Sequence, residues 1–212
     1  YYVEVDEPDM HEPTGDFERL VTALQEQWGV GEVAAELPIL RRLQPALRKG
    51  EWKVTIALHK GNHDARHRIL DIWPGFHEGA LYGLAIDLGP TTIAAHLCNL
   101  RDGAVLASAG VMNPQIRFGE DLMSRVSYAM MNPGGDKEMT SAVRTALNGL
   151  VQSISTEANI DPASIYELVF VCNPVMHHLL LGIDPVELGQ APFALATSGS
   201  LVLDAHDLDL KA

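Results

Sequence analysis

The chain has 212 residues, 47% hydrophobic and 20% charged, which suits one large or two small domains with enough apolar material for a core. A formal net charge of −13 argues against non-specific binding to nucleic acid or anionic membranes, but not against ATP, which is held by local dipoles and Mg²⁺. Two cysteines, Cys98 and Cys172, are too few for an iron–sulfur cluster and read as buried free thiols of a reducing, cytoplasmic compartment; no apolar run approaches the roughly 18 residues of a membrane span.

Residues 1–80 read as a small α+β unit. Tyr2-Val3-Glu4-Val5 alternates as an edge strand, and Thr14 or Asp16 can cap a helix carrying Phe17, Leu20, Val21 and Leu24. A second helix follows Pro38, with Ile39, Leu40, Leu43 and Leu47 on one face and a stop at Gly50. Trp52, Val54, Ile56 and Leu58 alternate, and the run 68–73 answers them, giving a hairpin with a polar loop through Gly61 and Asn62. His59, His63 and His67 would share a helix face, but the flanking alternation places them on the hairpin.

From Tyr82 the pattern changes. Leu84, Ala85 and Ile86 form an apolar strand ending on Asp87, Gly89-Pro90 makes a turn, and Ile93 to Leu97 returns. Arg101-Asp102-Gly103 leads into a third strand, Ala104 to Ala109, followed by the loop 113–119 and a helix from Glu120 to Met131. Asp136 caps a longer helix with Met139, Val143, Ala146, Leu147, Leu150, Val151 and Ile154 at helical spacing. Glu167 to Cys172 reads as a buried strand, and Asn173-Pro174 opens a short helix from Val175 to Leu181.

A nucleoside triphosphate needs backbone N–H groups that approach its oxygens, hydroxyls that donate to them, and a carboxylate that holds Mg²⁺. In the stretch 83–98, GLAIDLGPTTIAAHLC, Gly89 supplies the close approach, Thr91 and Thr92 the hydroxyls and Asp87 the carboxylate. A plain hairpin carrying D-x-G is the competing reading.

Three strands with a D-x-G-x-T turn between the first two, then helix, strand and helix, resemble the half-domain of the actin-like ATPases. Within that superfamily the chain resembles the reductive activators of corrinoid proteins, through GLAIDLGPTTIAAHL, NPQIRFGEDLMSRVSYA at 113–129 and NPVMHHLLLGIDPVELG at 173–189. The resemblance implies an α/β, ribonuclease-H-like first ATPase lobe over 81–212, and that the α+β unit at 1–80 preceding it is a linker or middle domain. It also implies a longer parent protein with a second lobe and a ferredoxin domain holding a two-iron two-sulfur cluster, neither expected in this chain. Such activators use ATP and Mg²⁺ to drive an electron onto cob(II)alamin, restoring the cob(I)alamin of a corrinoid protein or corrinoid-dependent methyltransferase.

By the same resemblance Asp87 positions Mg²⁺, Gly89, Thr91 and Thr92 hold phosphate, and Asn173 is the catalytic candidate. Two departures bear on this. Pro90 stands where the family turn has Thr, which removes one N–H and one hydroxyl. Cys172, Pro174 and Val175 replace the Gly and both Thr of a G-N-T-T-M-H-H motif. These losses favour an alternative, a non-catalytic docking or homodimerisation module; a small-molecule kinase is a third reading. Asn173 has an ordinary role available as an Asx-turn before Pro174. Of His177 and His178, about 100° apart on a helix, one is expected buried and hydrogen-bonded and the other near the cleft. Glu120 and Asp121 suit a helix start.

Overall fold

A computed structural model describes residues 1–11, 13–60 and 66–211. The chain divides into two compact units, Tyr1–Gly79 and Ala80–Ala212. The loop through Gly61 and Asn62, with His63, lies outside the described residues.

The first unit holds β1 (Tyr2–Glu4), α1 (Asp16–Trp28), β2 (Val33–Ala34), α2 (Leu37–Lys49), β3 (Lys53–Lys60) and β4 (His67–Pro74). Its sheet runs β1-β3-β4-β2, with β3 antiparallel to β1 and β4, and β2 parallel to β4. The alternation that predicts the hairpin buries Val54, Ile56, Ile69 and Ile72 against Leu20 and Leu24 of α1 and Leu43 and Leu47 of α2. Each such side chain contributes about 1.5–3 kcal/mol on burial. Leu40, expected on the apolar face of α2, is exposed. Helix α1 starts after Gly15 with no side-chain cap. Asp16 lies inside the first turn instead, where Arg19 and Arg48 both pair with it. Gly29 ends α1 at φ 69°, a conformation glycine adopts without a Cβ clash.

The second unit holds β5 (Tyr82–Leu88), β6 (Thr92–Asn99), β7 (Val105–Met112), α3 (Leu122–Met131), α4 (Gly135–Ala158), β8 (Ile165–Cys172) and α5 (Pro174–Leu181). The sheet order is β7-β6-β5-β8, a meander of antiparallel β5, β6 and β7 to which β8 adds parallel to β5. One face, with Leu84, Ile86, Ile93, Ala95 and Leu97, packs into a core with Met139, Val143, Leu147 and Ile154 of α4 and Met176 and Leu179 of α5. The opposite face is open: Ala85, Asp87, His96, Ser108, Val169 and Val171 are exposed. The strand expected to be buried, β8, is therefore covered on one side only. Its two faces, Leu168-Phe170-Cys172 and Val169-Val171, are both apolar in sequence, so the pattern does not separate them. Cys98 and Cys172 are correspondingly half-buried free thiols rather than buried ones.

Helix starts shift by one or two residues from expectation. Asp121 is the cap of α3, its carboxylate accepting from Ser124 N–H at 2.8 Å, so the helix begins at Leu122 and not Glu120. Helix α4 begins after Gly134 at φ 86°, and Asp136 sits in its first turn, complementing the dipole rather than capping.

Candidate functional site

Parallel pairing brings the C-terminal ends of β5 and β8 side by side, with Asp87 opposite Val171 and Leu88 opposite Cys172. β7 ends at the same edge, Met112 opposite Thr92. The 89–92 turn, the 113–119 segment and the start of α5 therefore converge there. In open α/β sheets this C-terminal edge is where ligands bind.

Asp87, Thr91 and Thr92 are exposed at this edge. Asp87 is the penultimate residue of β5 and lies on the open face, so its carboxylate keeps its water and burial alone does not demand a cation. Gly89 is required sterically: a Cβ there would lie 2.7 Å from the Thr92 carbonyl oxygen, while its N–H donates to that oxygen at 3.1 Å. Asn173 caps α5, its side-chain oxygen accepting from Met176 N–H at 3.0 Å. Pro174 occupies the first helical position, where a missing N–H costs nothing. Val175 is buried and faces away from solvent.

The two histidines divide as their helical spacing predicts. His178 is buried, its Nδ1 2.9 Å from Pro174 O and its Nε2 accepting from Ala196 N–H at 3.1 Å. The imidazole thereby ties the first turn of α5 to the backbone at Ala196. His177 is half-buried; burial, and secondarily its neighbour His178, lower its affinity for a proton. The Cys172 thiol is pushed up by burial first and by the nearby Asp87 charge second. His59 and His67 lie on β3 and β4, with Lys60 opposite His67.

Behind the turn lies a buried polar group that residue patterns did not single out. Asn113, Gln115 and Arg125 are each fully buried. Asn113 donates from Nδ2 to Gly89 O at 2.9 Å and accepts from Gln115 N–H at 3.0 Å. Arg125 donates to Pro90 O through Nη2, to Gly119 O at 3.0 Å through Nε, and to Gln115 Oε1 at 3.4 Å through Nη1. Burial pulls the Arg125 guanidinium below its usual range, and the Asp121 carboxylate opposes this. A signal was present: Arg125 falls between Leu122, Val126 and Ala129, on the stripe that α3 turns inward.

Among the described residues, one grouping has the ligand types of a metal site. Asp204, His206 and Asp207 bring three such atoms within 4.8 Å of one another, with two of the residues exposed. Asp87 is not part of it.

Comparisons with known proteins decide the family. Residues 82–212 match the model described as RACo middle region, and residues 1–79 match RACo linker region. The chain belongs to the RACo family. It is 32% identical over 145 residues to the "Corrinoid activation enzyme RamQ" of Eubacterium limosum, an alignment spanning 68% of this chain and 24% of that protein. Among solved structures, "Reductive activator for corrinoid,iron-sulfur protein" superposes with a TM-score of 0.88 at 28% identity, covering 100% of this chain and 33% of that one. The chain thus spans a quarter to a third of the length of these RACo relatives. Over the matched third, the solved structure shares the α/β fold described above.

Proposed function

We propose that this chain is the linker and nucleotide-lobe portion of an ATP-dependent reductive activator of corrinoid proteins. The observation that carries the reading is the convergence, at the C-terminal edge of β5 and β8, of an exposed carboxylate, a glycine position closed to any Cβ, and exposed hydroxyls. The strand order β7-β6-β5-β8 with helices on one face supports a ribonuclease-H-like lobe of an actin-like ATPase. The two relatives, a corrinoid activation enzyme and a reductive activator for a corrinoid, iron–sulfur protein, support a corrinoid protein as the partner.

In this reading Gly89 lets the chain approach a phosphate, and Thr91 and Thr92 donate to its oxygens. Asp87 is the carboxylate that would hold Mg²⁺, and the ion would supply charge neutralisation for the phosphate. Asn173, with its side-chain oxygen committed to the α5 cap, presents its amide N–H groups at the same edge. Hydrolysis converts ATP and water to ADP and phosphate. The one-electron reduction of cob(II)alamin to cob(I)alamin would need an external one-electron donor, such as an iron–sulfur cluster, because the two cysteines of this chain are too few to hold one.

The test is corrinoid-stimulated ATP hydrolysis and cob(I)alamin formation by the whole protein, wild type against Asp87→Asn. A loss of at least about tenfold in both is expected, because charge-assisted contacts of this type are worth roughly 1.5–3 kcal/mol. Unchanged rates would remove Asp87 from the site. Pro90 favours a second reading, a docking or dimerisation module without catalysis. Absence of hydrolysis in both the wild type and Pro90→Thr would support that module instead.

A further inference from the structure

We infer that Asn113 and Arg125 are positioning residues that hold the 89–92 turn in its phosphate-receptive form. Arg125 also sets a fixed positive charge behind it. The inference rests on the phosphate-site reading above and names what within the fold maintains that site.

The first argument is orientation. Gly89 O is bound from inside by the Asn113 amide, Pro90 O by the Arg125 guanidinium, and Thr91 O by the Asn113 N–H at 2.8 Å. In a trans peptide the C=O and the following N–H point in opposite directions. Drawing Pro90 O toward Arg125 therefore turns the Thr91 N–H away from the interior, where among the described residues no group accepts from it. Pro90 has no N–H, so the Thr91 amide is the one this part of the turn can offer an anion. Without the Arg125 donor, the 90–91 peptide is free to rotate and present a carbonyl oxygen, which repels phosphate.

The second argument is charge. Arg125 has 0% exposure, and among the described residues no carboxylate lies within ion-pair distance of it, the Asp121 charge acting on it only from farther off. A cation in that state is costly, and a Met or Leu would fill the same inward stripe of α3 at no such cost. Its charge lies one hydrogen bond behind the turn, in surroundings where water screens it little. A polyanion on the outer side of the turn feels it.

The third argument is rigidity. Gln115 is held at both ends of its amide, accepting from Arg125 and donating to Met139 O at 3.0 Å. The Met176 sulfur lies 3.3 Å from Arg125 Nη1 and 3.6 Å from Asn113 Nδ2. The clamp is thereby anchored to α4 and α5 and cannot follow a shift of the turn.

The experiment is equilibrium binding of ATP and of adenosine to the whole protein with Mg²⁺ present. Wild type is compared with Arg125→Met, Arg125→Lys and Asn113→Ser. Ser can still accept from Gln115 N–H but is too short to reach Gly89 O. Wild type is expected to prefer ATP over adenosine. Arg125→Met should cut ATP affinity by at least about tenfold while adenosine affinity changes less than about twofold, and Asn113→Ser should act in the same sense. Arg125→Lys, which keeps the charge but not the fork, should recover part of the loss.

A folded Arg125→Met that keeps the wild-type ATP-to-adenosine ratio overturns the clamp while leaving the phosphate site standing. Equal loss of both ligands marks a general structural defect and also overturns it. If Arg125→Met does not fold, Asn113→Ser decides by the same ratio. A wild type with no preference for ATP overturns the phosphate-site reading itself, and the clamp with it.

Discussion

Gly89→Ala is the sharpest test of how tightly the turn is built. The added Cβ would stand 2.7 Å from the Thr92 carbonyl oxygen, a backbone atom that cannot swing aside as a side chain can. Restoring ordinary contact needs a displacement of about 0.7 Å. The same oxygen accepts the Gly89 N–H at 3.1 Å, and the next carbonyl back, Thr91 O, is held by Asn113 at 2.8 Å, so the turn cannot slide without loosening both bonds. Overpacking of this kind costs about 1–3 kcal/mol and one lost hydrogen bond about 1 kcal/mol, offset by about 0.4–1 kcal/mol from a stiffer unfolded chain. The net is about 2 kcal/mol, or a fall in Tm of roughly 5–8 °C for a unit of this size. Far-UV circular dichroism during heating measures it. Tryptophan fluorescence is the internal control, because Trp28, Trp52 and Trp73 all lie in the first unit and their transition should move less. A circular-dichroism Tm within a degree of wild type would refute the claim that the Gly89–Thr92 approach constrains the turn.

Gly149→Ala should act in the opposite direction. Gly149 is an exposed position inside α4 with nothing within 4 Å of a built Cβ, so the substitution should raise stability by about 0.5–1 kcal/mol in the same melt. His177 makes stability fall on acidification: its folded-state proton affinity is depressed, so the unfolded chain binds the extra proton and stability drops as pH falls below about 6.5. In urea unfolding between pH 5 and 8, wild type should lose more stability than His177→Gln as the pH falls if this holds, and the two should run parallel if it does not. Cys172 should alkylate more slowly than the same thiol in the denatured chain, and faster once Asp87→Asn removes the neighbouring charge. Equal rates in wild type and Asp87→Asn would place that carboxylate too far away to matter.

Elements made by local patterning were readable in the residues. The Val54–Ile56 alternation of β3, the Leu43–Leu47 face of α2 and the Met139–Ile154 stripe of α4 bury what their period assigns to the inside, whereas the alternation breaks at the irregularity between Ala57 and Leu58, which buries Ala57 and leaves Leu58 half-buried. Features set by partners distant in the chain were less readable. The two-residue strand β2 owes its existence to parallel pairing with β4 and is too short to show a period. β8 is apolar on both faces, so which face is open depends on where α4 and α5 pack. At the candidate site, Asp87, Gly89, Thr91 and Thr92 could be named from spacing because they share one turn. Asn113 carries the usual solvent-facing reading of a loop amide until the fold turns it onto Gly89 O, and Arg125 offers only its place on the inward stripe of α3, with nothing in the sequence to point it at Pro90 O. Asn173 was named for the edge it occupies, and its side-chain oxygen proves to be committed to the α5 cap.

The parallel pairing of β8 with β5 also orders events in time. Leu84 meets Leu168 only after β6, β7, α3 and α4 have been made, whereas the β5–β7 meander closes through short turns. During synthesis, the outer edge of β5 and the apolar face of Leu84, Ile86 and Leu97 stay uncovered for on the order of ten seconds at ordinary elongation rates. Pairings that span so much chain are slow to form, and an open strand edge invites association with other chains meanwhile. The yield of folded protein therefore depends on how soon α4 and β8 arrive, so that an insertion between β7 and β8 would lower it even where the finished fold accommodates the extra residues without strain.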